Sequence, residues 1–403
     1  MALRRWCVAA VMLAGVLALA GCLPNRGAES SAHVEAPPAG SAPATEAPAE
    51  APAATESPPR AHGEAPSEPP AETPAAPAAQ TDAQRRAALL QDCGDGAQIR
   101  ETAHWLIGYK ADPKWVDEAA KMLERTYDHF FEQFRKAGFD PKPPGEKLIC
   151  VLLDTQEDFE RYRERVRDTA GQPPLAEDPA AAPGPGGRPS RVGKGSYSSR
   201  TNRIQMCDSR SLPRNPNRPA DPDRTEWANV VRIAHEAAHQ LSFNTGILKQ
   251  RWGYPLWLGE GLACNFEFTD PAKPFGPLTD NLSPRAAGLA RLLADGKILP
   301  LRRLITMSPQ ESHQAENSGL VYVQGWALFR FLMAERPAQF KAYVAALTDR
   351  PRPPRNGGEA LAAFEGALGP VEDLEKDWQQ FLKRAGKGDV ESPASPAAPE
   401  PGP

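Results

Sequence analysis

The sequence predicts an α+β fold: a small mixed β-sheet lobe with flanking helices, followed by a helical lobe, with a candidate functional site in the cleft between them. Three observations carry this. Strand-like stretches fall at residues 99–109, 147–153 and 195–206, the second a short apolar run with Val and Ile, all in the first part of the folded region. Beyond Arg285 apolar residues recur at helical spacing up to Ala385. Between the two patterns lies His235-Glu236-Ala237-Ala238-His239, and strands that precede a helical half give an α+β architecture with a site where the parts meet.

The 403-residue chain opens on Arg4 and Arg5, an apolar run from Trp6 to Ala20, and then Leu19-Ala20-Gly21-Cys22. A basic start, a short apolar stretch and a small-residue exit predict a secretory signal over residues 1–21, and the run is too short for a mature spanning helix. The last four residues match the bacterial lipobox, which implies cleavage before Cys22 and lipidation of its thiol. The expected location is the bacterial cell envelope, with the N-terminal lipid anchor in a membrane and the domain exposed in the periplasm or outside the cell. Residues 22–81 and 389–403 are rich in Pro, Ala, Glu and Ser, and much of the Pro content, 44 in all, lies there. Such stretches cannot bury enough apolar surface to fold, so they read as a tether and a tail. As a coil the tether spans about 40–50 Å.

Residues 82–388 are long enough for one domain. A net charge of −4 and no basic patch with interleaved aromatics exclude a nucleic-acid partner. Cys93, Cys150, Cys207 and Cys264 lack C-x-x-C spacing, so a zinc ribbon is a poor reading, and disulfides and buried thiols both remain open. Oligomeric state is not written in the sequence.

In order, Ile99–Tyr109 reads as a strand. Pro113 then starts a helix whose Trp115, Ala119, Met122, Leu123, Tyr127, Phe130 and Phe134 share one face. Lys147–Leu153 is a buried strand and Asp154–Arg167 a charged helix, while Gly171–Gly193 breaks into Pro, Gly and Ala as an insert. Gly195–Met206 reads as a hairpin turning near Arg200–Asn202. After a loop over Thr269–Pro284, helices are expected at 285–295, 320–335, 338–348, 359–368 and 371–385.

His235 and His239 stand four residues apart, so a helix brings both imidazoles to one face, where they can share a zinc. Glu236 lies beside them to take a proton from water. Asp223 or Thr225 can cap this helix and Gly246 can end it. Twenty residues after His239 comes Glu260, the best third ligand, in a second helix that Pro255 can open; Gly259 and Gly261 keep bulk away from its carboxylate. Glu267 is the alternative third ligand. A helix with surface histidines is the competing reading, and His313 reads as a surface residue.

His-Glu-Ala-Ala-His-Gln followed by Trp257-Leu258-Gly259-Glu260-Gly261-Leu262-Ala263 resembles the gluzincin metallopeptidases. The similarity is to the aminopeptidase N type and to peptidase MA-like domains of bacterial envelope proteins. The resemblance implies zinc on His235, His239 and Glu260, with Glu236 as catalytic base. It implies a peptide or protein substrate lying along the hairpin before the zinc helix. Tyr322, in Tyr322-Val323-Gln324-Gly325, resembles the family's oxyanion-binding tyrosine, a core tyrosine being the competing role. The loop before Glu260 is two residues longer than in the aminopeptidases. No Gly-x-Met-Glu-Asn segment is present, so aminopeptidase activity is not implied. The expectation is a lipid-tethered zinc peptidase of the envelope; the alternative is a catalytically inactive binding or scaffold module with the same fold.

Overall fold

The computed structural model describes residues 81–169, 195–211, 222–250, 252–267 and 284–387. The signal segment, Cys22, the tether, the insert at 171–193, nearly all of the loop at 269–284 and the tail lie outside the described residues.

The chain begins with α1 (Asp82–Cys93), a helix not expected from the sequence, whose capping box joins Thr81 and Gln84. The run at 99–109 is two strands rather than one, β1 (Gln98–Glu101) and β2 (Trp105–Lys110), paired antiparallel. The break lies at Thr102, whose amide donates to the Trp105 carbonyl (2.9 Å) while its hydroxyl accepts from the Trp105 amide (3.0 Å). A side-chain-built turn of this kind leaves the apolar alternation intact, so the periodicity does not reveal it. Next come α2 (Pro113–Lys136), β3 (Leu148–Leu153), α3 (Gln156–Thr169), β4 (Gly195–Ser198) and β5 (Arg203–Cys207).

The five strands form one mixed sheet in the order β1-β2-β3-β5-β4. The inner three run parallel, and each edge is antiparallel to its neighbour. Successive β3 residues serve opposite faces. Leu148, Cys150 and Leu152 join the main core with α2, while Val151 and Leu153 join a smaller cluster with Leu89 and Cys93 of α1 and Phe159 and Tyr162 of α3. Gly108 lets α1 sit directly on the sheet, since a Cβ there would lie 2.7 Å from Leu89 Cγ.

The helical part starts with α4 (Pro222–Asn244), which carries both histidines. It begins at Pro222, so Asp223 and Thr225 lie inside its first turn and not ahead of it; Pro is a favoured first residue because its missing N–H is not needed there. Gly246 follows the helix with φ +79°, as the sequence suggested. Then come α5 (Leu256–Cys264), α6 (Pro284–Ala294), the short α7 (Leu301–Thr306) and α8 (Pro309–Ser312), α9 (Ala315–Glu335), α10 (Pro337–Thr348), α11 (Gly357–Leu368) and α12 (Val371–Lys387). Helix α9 starts five residues before the expected 320 because its first turn, Ala-Glu-Asn-Ser-Gly, has no apolar periodicity. From Trp326 to Phe329 and again at Phe331–Met333 it is buried on all sides, the signature of a central helix. One core runs continuously from the sheet face through α2 and α4 into α5 and α9. No helix among the described residues is long and apolar enough to cross a membrane.

Candidate metal centre

Helix α4 is fixed to the sheet immediately beside the second histidine. Gln240 is fully buried; its Oε1 accepts from Trp105 Nε1 (2.9 Å), and its Nε2 donates to the carbonyls of Ile149 (3.0 Å) and Asn202 (2.9 Å). Asn202, in the turn between β4 and β5, sits at φ 54°, a conformation Asn tolerates. Its side chain meets Asn244 at the far end of α4 (2.7 Å). These bonds set the depth and rotation of the helix, and with them the direction of both imidazoles.

His235 and His239 turn their Nε2 atoms toward each other at 3.2 Å. Glu260, on α5, completes the group: Oε2 lies 3.2 Å from His235 Nε2 and Oε1 3.6 Å from His239 Nε2. A tetrahedral zinc with ligands at about 2.0–2.1 Å has ligand-to-ligand edges of about 3.3 Å, so the three spacings match the edges of such a site. Glu260 Oε2 is buried and, despite its closeness to His235, has no hydrogen bond of acceptable geometry. His235 Nδ1 faces Glu267 Oε1 at 2.9 Å, a partner that keeps the Nδ1 proton when the ring gives up its Nε2 proton to ligate a cation. Lone pairs and a carboxylate converging on one point form the donor set of a cation. The three residues can hold a metal.

Charge points the same way. Glu236, Glu260 and Glu267 surround the two imidazoles, while Arg285, and Arg232 one turn before Glu236, are the guanidinium groups at hand. Burial opposes ionisation of Glu260, but the two histidines outweigh it and hold its carboxyl well below 4.5. Burial likewise disfavours a charged His235, yet Cys264, Glu260 and Glu267 raise it well above 6.5: the pocket asks for positive charge.

Glu267 does not enter this trio. Arg285 grips both of its oxygens (Nε to Oε2 2.8 Å, Nη2 to Oε1 2.6 Å), and against burial that guanidinium and His235 hold its carboxyl at about 2. Its place is behind His235, where it fixes the ring. A second trio of His235, Cys264 and Glu267 is also close enough to bind a metal. It is the poorer donor set, because burial pushes the Cys264 thiol up to about 11 and Glu267 is already engaged by Arg285. All four cysteines among the described residues are free, buried thiols.

Glu236 is 8% exposed, and its Oε2 accepts from the Tyr197 amide of edge strand β4 at 2.7 Å. Tyr322, half-buried on α9, lies beside Glu260 of the trio, with the Arg285 guanidinium 5.6 Å from its ring. Burial and then the Glu260 charge raise its phenol well above 10, so it is a protonated donor. A pair of glycines brings α5 and α9 together: a Cβ on Gly261 would lie 2.4 Å from the Gly325 carbonyl oxygen, and one on Gly325 would lie 3.0 Å from the Trp257 carbonyl oxygen. Gly261 therefore serves this helix crossing rather than clearance around Glu260, whereas Gly259 faces open space. His313 ends α8 with Nδ1 on the Pro309 carbonyl (2.6 Å).

Of the residues singled out in the sequence, the fold gathers His235, Glu236, His239, Glu260 and Tyr322 in one place. It places Glu267, the alternative ligand, behind His235, and it adds Arg285, Gln240 and the Tyr197 amide, none of which local spacing identifies as partners. No curated protein matches the chain. Residues 229–354, from α4 to just beyond α10, match a family described as a protein of unknown function (DUF1570), and that stretch holds all three candidate ligands, Glu236, Glu267, Arg285 and Tyr322.

Proposed function

We propose that the protein is a gluzincin-type zinc peptidase of the bacterial cell envelope, tethered to a membrane through lipidated Cys22 and acting on peptides or proteins there. One observation carries the reading: a His235–His239–Glu260 trio with zinc-like edges has an additional carboxylate, Glu236, beside it and a protonated phenol, Tyr322, against Glu260. A module that only bound zinc would need neither.

When bound, zinc supplies Lewis acidity, polarising a carbonyl and lowering the pKa of water. Glu236 takes the proton from the attacking water and delivers it to the leaving amine. The Tyr197 amide holds its carboxylate in place meanwhile. Tyr322 donates a hydrogen bond to the oxyanion that develops on the substrate carbonyl. The Glu267–Arg285 pair keeps the His235 ring from rotating. The outer edge of β4 offers an extended peptide a strand to pair with.

The test is cleavage-site profiling on a peptide library, with zinc content measured alongside. Wild type should bind one zinc per chain and cleave, and a chelator should abolish cleavage. Glu236→Gln should retain zinc and lose about 10²–10⁴-fold in rate. Equal trace cleavage by both proteins, each with zinc bound, would sink the peptidase reading in favour of the scaffold module. The anchor is tested separately: Cys22→Ser should no longer incorporate labelled fatty acid, and persistent labelling refutes the lipobox.

A further inference from the structure

Arg232 is half-buried and, among the described residues, lacks the carboxylate partner that several other arginines of the domain have. Arg203 pairs with Asp92, Arg210 with Asp208 and Arg285 with Glu267. Arg232 donates from Nη1 to the Ser209 hydroxyl (2.8 Å), and the Ser209 amide is fixed in turn by Asn229 Oδ1 (3.0 Å). Among the described residues no carboxylate lies within ion-pair distance of it. The leading charge it feels is that of Glu236, one helical turn on, and burial pulls its pKa down. Desolvated charges are ordinarily paired. A guanidinium held this way beside the metal trio is suited to receive an anion that none of the described residues supplies.

Its place relative to the edge strand says which anion. The Arg232 stem passes β4 at Gly195, where a Cβ would lie 2.8 Å from both Arg232 Cδ and Met206 Cγ and would force one of them to move. Two residues further along β4, the Tyr197 amide meets Glu236. The strand and α4 thus run side by side in the same sense, about 6–7 Å separating the two meeting points along either element. An amide that donates to Glu236 points away from β5, so this is the outer edge of the strand. A peptide paired antiparallel to that edge would run from Tyr197 toward Gly195, and the residues that follow the bond opposite Glu236 would come abreast of Arg232.

We infer that Arg232 is a specificity-determining residue that binds a substrate carboxylate, either an Asp or Glu side chain or the peptide's own C-terminus, one or two residues after the cleaved bond. The inference rests on the peptidase reading, and the test separates the two. Peptide pairs differing only as Glu/Gln at those positions, or as free acid/amide at the C-terminus, are compared both for cleavage by wild type and for fluorescence-detected binding to zinc-loaded Glu236→Gln. One pair should favour the acid at least about tenfold, the size of one charge-assisted hydrogen bond, and the pair that does so identifies the source of the carboxylate. Adding Arg232→Gln should bring the ratio to about one, and Arg232→Glu should turn the preference toward Lys. Cleavage without acid preference, or a preference unchanged in Arg232→Gln, overturns the inference and leaves the peptidase intact. Arg232-dependent binding of acidic peptides without any cleavage does the reverse, and neither cleavage nor binding removes both. Should Arg232→Gln fail to fold, the wild-type ratio is followed against ionic strength: it should fall as salt screens the pair, and a salt-independent ratio overturns the inference.

Discussion

At one end of the sheet, β1 meets solvent with charge. Arg100 pairs with Asp117 (3.0 Å), and Glu101 is held by Lys147 (2.7 Å) and by Arg86. At the other end, β4 reads Gly-Ser-Tyr-Ser, without a single charged side chain, and the charges beside it belong to α4. The two strands hold equivalent positions, each antiparallel to a parallel core. Charged side chains on an edge are a common device against pairing with another chain. The difference between β1 and β4 is that of an edge lined by ion pairs and an edge without charge, which the proposed function uses to receive a peptide beside Glu236 and Arg232.

Substitutions at four positions break or sharpen this contrast, and their expected effects decrease in turn. Tyr322→Phe, on α9 beside Glu260, should lower the cleavage rate about 10²–10³-fold with zinc content unchanged, because one oxyanion donor is lost while base and metal remain. A loss below threefold would make Tyr322 a core residue only. Glu267→Gln removes the charge that holds His235, and zinc affinity should weaken about 10–100-fold in competition with a chromophoric chelator. Unchanged affinity would show that the Arg285 pair is structural. Tyr197→Pro deletes the amide that Glu236 uses, and cleavage efficiency should fall about 3–10-fold, the worth of one net hydrogen bond. Tyr197→Phe keeps the amide and should not show this loss; if it does, the ring and not the backbone is responsible. Glu101→Ala on β1 should cost less than about 1 kcal/mol in denaturant unfolding, since its ion pairs are exposed, and should leave zinc and cleavage untouched. A change in cleavage comparable to that of Tyr197→Pro would erase the distinction between the edges.

What the sequence disclosed of the site was local. His235, Glu236 and His239 follow from one helical period, and Glu260 from a second helix opened by Pro255. What it hid was long-range or main-chain. Nothing in the spacing of Glu267 and Arg285 pairs them, because their salt bridge spans the break between α5 and α6. The Tyr197 amide is invisible in a side-chain alphabet. Gln240 is adjacent to His239, yet its bonds reach carbonyls of β3 and of the β4–β5 turn that only the assembled sheet presents. In the fold, the parallel strand β3 was legible because it is apolar on both faces, while α1 was missed because its polar sequence buries only Leu89 and Cys93.

The contact of Gly261 with Gly325 has a consequence for how the chain can change length. Two main chains in contact leave no side chain to readjust, so α5 and α9 are riveted at one point, one residue from Glu260 and three from Tyr322. The separation of ligand and phenol is then independent of how much chain joins the two helices, and residues added between positions 268 and 283 should leave it unaltered. A single residue inserted between Tyr322 and Gly325 is a different matter. It would rotate the phenol by about 100° around α9 and turn it away from the centre, so tolerance to insertion should change abruptly on entering that helix.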